Sequence, residues 1–198
     1  MGRWNIRWSI LLVLWCVTGV KLAAMKVESL DRGWFFNRGY ESQAADKVTV
    51  DLPHTWNAAD AMFGNVNYYR GMSTYSRFIV VPSSENFKRV FLRVKAAQTV
   101  ADVYLDNHFV AQHKGGYTSF TVELTHLIRR GEKQKLDIRV SNAQTMEIAP
   151  ICGDFNIWGG LNRGVELLYT DDACIDPTFY GSFGVFFTRS AFNHRNHF

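Results

Sequence analysis

The sequence is short of cysteine, of catalytic signatures and of apolar runs long enough to cross a bilayer. Three cysteines in 198 residues cannot make a disulfide-dense scaffold, and none are spaced as a Cys-x-x-Cys pair for zinc or redox work. A phosphate-binding glycine loop with its Lys and Ser/Thr is missing, as is a His-Glu-x-x-His pair. The stretch "YGSFG" around Ser182 only approaches a nucleophile elbow and lacks the strand-to-helix setting that gives one its function. No motif calls for a cofactor, so none is expected.

The one sustained apolar run, residues 10–20, follows Arg3 and Arg7 and precedes Lys21, Ala23 and Ala24. A positive start, a short apolar stretch and small residues describe a signal peptide over 1–24. The run is too short for a comfortable bilayer span, so no stable membrane span is expected; a retained signal anchor is the alternative. The expected localisation is export, to a periplasm or the extracellular space. Losing Arg3, Arg7 and Lys21 takes the 22 basic residues to 19, against 18 acidic. A nearly neutral mature chain gives no support to a nucleic-acid partner, which wants a sustained basic face. Cys152 and Cys174 would remain in an oxidising compartment; pairing and two free buried thiols both stay open.

Strands dominate what is there. Alternating polar and apolar or β-branched residues mark strands at 47–53, 74–82, 89–96, 119–124, 135–141 and 164–170. Asp106-Asn107, set between two alternating runs in 101–116, is a hairpin signal. A short turn or helical segment near 126–130 ends at Gly131. With no helix of convincing length, this predicts an all-β fold, a sandwich or barrel. His108 and His113 sit an odd number of residues apart in one strand, which puts them on opposite faces and argues against joint metal ligation. Asp171 and Asp172 are neighbours whose side chains diverge in extended chain, so they read as a solvated turn.

Four blocks carry more: "VDLPHTWN" (50–57), "YYRGMSTYSRFIVV" (68–81), "VYLDNHFVAQHKGGYTSFTVELTHLI" (103–128) and "GDFNIWGGLNRGVEL" (153–167). In this order they resemble the N-terminal sugar-binding domain of glycoside hydrolase family 2, the group of β-galactosidases, β-glucuronidases and β-mannosidases. The resemblance implies a β-sandwich of jelly-roll, galactose-binding-like type over 25–188. It also implies a parent enzyme that hydrolyses O-glycosyl bonds with a separate catalytic barrel. Residues 189–198 match nothing in that pattern and read as an unmatched tail, as a truncation would leave.

The same resemblance implies a sugar-binding role for the loop "GDFNIWGG". Asp154 matches the acid that helps hold the terminal sugar; a carboxylate accepts charge-assisted bonds from hydroxyls. Trp158 offers a ring face for the C–H side of a sugar, and Asn156 an amide donor and acceptor. The bland alternatives are a turn cap for Asp154 and a core position for Trp158. Gly159 and Gly160 read as a tight turn, and Arg163 as structural. Asn162 stands where the family has an aromatic, and Gly164 where it has an acid or amide. Trp56 reads as packed under the sheet.

No constellation supplies the two carboxyls, about 5 to 5.5 Å apart, of a retaining glycosidase. The expected function is therefore a non-catalytic domain that binds a terminal β-linked sugar beside the barrel of an exported family 2 enzyme. A free-standing carbohydrate-binding or cell-surface adhesion module is the alternative.

Overall fold

A computed structural model describes residues 25–39, 48–58, 60, 68–84, 86–149, 156–179, 181–182 and 185–188. The strands are β1 (Lys26–Ser29), β2 (Trp34–Arg38), β3 (Val48–Val50), β4 (His54–Thr55), β5 (Met72–Val80) and β6 (Arg89–Val94). They continue as β7 (Val100–Leu105), β8 (His108–Lys114), β9 (Phe120–Glu123), β10 (Lys133–Ser141), β11 (Gly160–Leu161) and β12 (Val165–Thr170). A four-stranded sheet of order β1-β12-β6-β9 faces a six-stranded sheet of order β3-β2-β5-β10-β7-β8. The pairings within both sheets are antiparallel. The chain passes between these two sheets at β1/β2, β5/β6, β6/β7, β8/β9, β9/β10 and, by way of β11, β10/β12, so it wraps around the core as a jelly roll does.

Alternation decides which residues fill the space between the sheets. Leu136, Ile138 and Val140 of β10 and Ala101, Val103 and Leu105 of β7 point inward from one side. Val90, Leu92 and Val94 of β6 with Val165, Leu167 and Tyr169 of β12 answer from the other, and all twelve are buried. Between β7 and β8, Asp106 and Asn107 hold φ of 49° and 67°, the left-handed pair of a two-residue hairpin turn. The Asp106 carboxylate then accepts from the Lys135 backbone N–H at 2.8 Å and from Gln134 Nε2 at 2.8 Å, tying the turn to β10.

Two strands escape the alternation. β1 pairs with β12 and β2 with β5, but "WFFNR" of β2 has no period-two pattern. Trp34 is fully buried, and its indole N–H donates to the Leu30 carbonyl at 2.6 Å. Elsewhere strands start or stop a few residues from their expected limits, β5 and β10 beginning two residues earlier. Trp56 is buried and stacks on Phe36 with centroids 6.0 Å apart, as expected of a residue under the sheet. The histidines are engaged locally. His113 stacks on Phe120 at 4.4 Å, and the His108 ring bonds the Asp106 carbonyl.

Across β6 and β9, Arg89 grips Glu123 with two bonds, Nε–Oε1 at 3.0 Å and Nη2–Oε2 at 2.8 Å. Those bonds, with one from Thr125, pull the Glu123 carboxyl down to about 2. An unfolded glutamate titrates near about 4.3. The pair's stabilisation is therefore fully present above that pH and is lost as pH falls toward 2. Glu123→Gln should flatten this part of the stability curve: between pH 4.5 and 2.5 the variant loses less stability than the wild type. Urea denaturation across that range measures it, and equal slopes would refute it.

Candidate functional site

At one place in the fold four connections converge: β3 to β5 with His54 and Thr55, β6 to β7 with Gln98, β8 to β9 with Tyr117, and β10 to β12 with Trp158 and Asn162. They line a cleft of about 440 Å³, with Pro53 completing its wall. Loops gathered on a rigid sandwich are a common seat of function. The short pairing of β4 with β11 (Gly160 with Thr55, Leu161 with His54) stitches two of these connections together. Gln98 joins them through a bridge to Gly160.

The Trp158 loop is anchored by two buried amides. Asn57 and Asn142 are both 0% exposed. Asn142 Nδ2 donates to Asn57 Oδ1 at 3.0 Å, to the Ile157 carbonyl at 2.9 Å and to the Tyr69 carbonyl at 3.2 Å; its Oδ1 accepts from Gly71 N–H at 2.9 Å. Asn57 Oδ1 also accepts from Gly159 N–H at 2.8 Å, while its Nδ2 donates to Asp60 Oδ2 and the Tyr69 carbonyl. Tyr68 OH donates to the Ile157 carbonyl at 2.6 Å, and Thr55 Oγ1 to the Gly159 carbonyl at 2.8 Å. Gly159 must be glycine, because a Cβ would lie 2.0 Å from the Trp56 ring. Gly160 holds φ +141° with its α-carbon against the His54 carbonyl.

The cleft's polar groups are held in turn. Tyr75 is fully buried, and its hydroxyl lies 2.7 Å from His54 Nδ1. That contact engages Nδ1 and leaves Nε2 for another partner. Burial lowers the pKa of His54, so the neutral ring persists, and burial pushes the Tyr75 hydroxyl well up. Asn162 Nδ2 donates to the Trp158 carbonyl at 2.9 Å and to Gln98 Oε1 at 3.4 Å. Gln98 lies against Gly116, where a Cβ would come within 2.8 Å of its amide carbon.

Of the residues singled out in the sequence, Trp158 lines this cleft, 38% exposed, and is not a core residue. Asn156 is exposed and borders the loop without lining the cleft. Asp154 and Cys152 lie outside the described residues; Cys174 is a free thiol, 3.6 Å from Arg89 Nη1. Arg163 is exposed, with no ion pair among the described residues. Beside Gly164, Asp31 Oδ1 accepts from Val165 N–H at 2.8 Å. Ser182 sits in a turn, bonded to the Phe179 carbonyl. His54, Gln98, Tyr117 and Asn162 escaped sequence reasoning; the usable signal was that three of them fall inside the four family-like blocks. Among the described residues no group of three or more His, Cys, Asp or Glu gathers as a metal site.

Residues 27–171 match the family described as "Glycosyl hydrolases family 2, sugar binding domain". A β-glucuronidase of Bacteroides fragilis is 40% identical over 157 residues, 79% of this chain and 22% of that protein. A β-galactosidase of Thermoanaerobacter pseudethanolicus is 30% identical over 134 residues, 66% of this chain and 18% of that protein. The crystal structure of a Bacteroides uniformis β-glucuronidase superposes with a TM-score of 0.74 at 29% identity, covering 81% of this chain and 20% of that one. The chain thus spans about a fifth of the length of the curated relatives it matches.

Asn142→Ala should cost about 2 kcal/mol, because it leaves Gly71 N–H without its acceptor and takes one of two bonds from both the Ile157 carbonyl and Asn57 Oδ1. Chemical denaturation of the variant checks it; a loss under about 1 kcal/mol would mean that water replaces the amide without penalty.

Proposed function

Because this chain belongs to glycosyl hydrolase family 2, in which it is a sugar-binding domain, we propose that it binds the terminal β-linked sugar of a substrate for an exported glycosidase. Hydrolysis of the O-glycosyl bond falls to a catalytic barrel outside these residues. The observation that carries the reading is the cleft itself, where two exposed aromatic side chains, Trp158 and Tyr117, stand beside the amides of Gln98 and Asn162. Aromatic faces take the C–H side of a sugar, and amides exchange bonds with its hydroxyls. Asp154, on the same loop, is assigned as a further ligand of that sugar, and Asn156 as a polar neighbour at its edge.

The well-buried carboxylates support a non-catalytic role, because each is already engaged. Asp60 receives Asn57 and lies 3.8 Å from Arg38; Asp137 is paired with Lys135; Glu166 with Arg93 and Lys95. None of these three is free to serve as one of two carboxyls flanking a glycosidic bond. Export rests on the leader-like residues 1–24; no helix among the described residues is long and apolar enough to cross a membrane.

The test is to present the purified chain with nitrophenyl β-galactoside, β-glucuronide and β-mannoside, and separately with an array of immobilised β-linked glycans. Retention on the array with no hydrolysis above the buffer rate is expected. Turnover at enzymatic rates would overturn the non-catalytic assignment, and an array without a single retained glycan would overturn the sugar-binding one.

A further inference from the structure

The groups that line the cleft can be sorted by what they leave unspent. Gln98 is 4% exposed. Its Oε1 takes the Asn162 bond at 3.4 Å, while its Nε2 has no partner among the described residues and lies at the cleft wall. Asn162 spends both hydrogens of Nδ2 on Trp158 and Gln98, and its Oδ1 is buried without a partner among the described residues. His54 spends Nδ1 on Tyr75, which leaves its Nε2. Such groups are costly to leave unpaired in a protein interior. The inventory open to a ligand is one amide NH₂ and one imidazole nitrogen, together with the Trp158 and Tyr117 rings.

Equally informative is the charge. The described lining residues are Pro53, His54, Thr55, Gln98, Tyr117, Trp158 and Asn162, with no Lys, Arg, Asp or Glu among them. An anion placed there would give up its hydration without meeting an opposite charge, and neutral donors alone repay that poorly. A hydroxyl can accept from the Gln98 amide and either accept from or donate to His54 Nε2, whereas a carboxylate only accepts.

Resting on the sugar-binding reading above, we propose that this cleft takes an uncharged hexosyl residue and discriminates against a uronic acid. The sugar lies with its C–H face toward Trp158 or Tyr117 and its hydroxyls on Gln98 and His54. Selection for a carboxylate, in whatever assembly the domain serves, is then made by groups outside the cleft.

Isothermal titration of the purified chain with methyl β-galactoside, methyl β-glucoside and methyl β-glucuronide tests this, with Trp158→Ala and Gln98→Ala as variants. Tyr117→Ala, at a side chain 68% exposed, guards against a variant that fails to fold. At least one neutral glycoside should bind ten times or more tighter than the glucuronide. Each variant should weaken that binding at least fivefold while its thermal unfolding stays cooperative. Equal or tighter binding of the glucuronide would overturn the selectivity and leave the sugar-binding reading standing. Binding indifferent to all three variants would overturn the location. Failure of all three glycosides to bind a folded chain would bring down both.

Discussion

Two carboxamides in the interior, Asn57 and Asn142, decide whether this molecule has a site. Each sits fully buried, and between them they bond one another, Asp60 and the backbone of Tyr69, Gly71, Ile157 and Gly159. They fasten Ile157 and Gly159 on one connection to Tyr69 and Gly71 on another. A sandwich core alone cannot do this, because hydrophobic packing is non-directional and leaves long connections free. A satisfied polar network specifies one arrangement, at the cost that any missing member is expensive.

That anchorage brings a division of labour among the polar residues. Charge is spent across strands: Arg89 on Glu123, and Arg93 and Lys95 on Glu166. The described lining of the cleft, by contrast, carries no Lys, Arg, Asp or Glu and includes two amides, an imidazole and two aromatic rings. Asn162 is where the loop's Trp158 carbonyl and the Gln98 amide meet. Its side chain is thus part of how this cleft is made.

Much of the sandwich was legible in the sequence, because half-buried strands write their alternation directly: β5, β6, β7, β9, β10 and β12 are found that way, and the Asp106-Asn107 turn announces the β7–β8 hairpin. β2 was hidden because its consecutive aromatics break the alternation. The site was harder to read. A buried, fully bonded asparagine and a solvated turn asparagine look alike in sequence, so nothing marked Asn57 or Asn142. His54, Gln98 and Tyr117 lie on three different connections, and only the folded chain brings them to Trp158. The family resemblance pointed to the loop that carries Trp158, and its glycines matter as much as its polar residues: without a glycine at 159 the Trp56 ring could not pack beneath it.

If the Asn57–Asn142 pair governs the site, it holds the loop as firmly as the sheets hold each other. Native-state amide hydrogen exchange tests this most directly at Gly159 and Gly71, whose N–H groups the two side-chain oxygens receive. Both amides should exchange only through global unfolding, as slowly as that of Ile138 at the centre of β10. Exchange hundreds of times faster at Gly159 than at Ile138 would mean that the loop opens on its own, and would contradict the anchoring role of the pair.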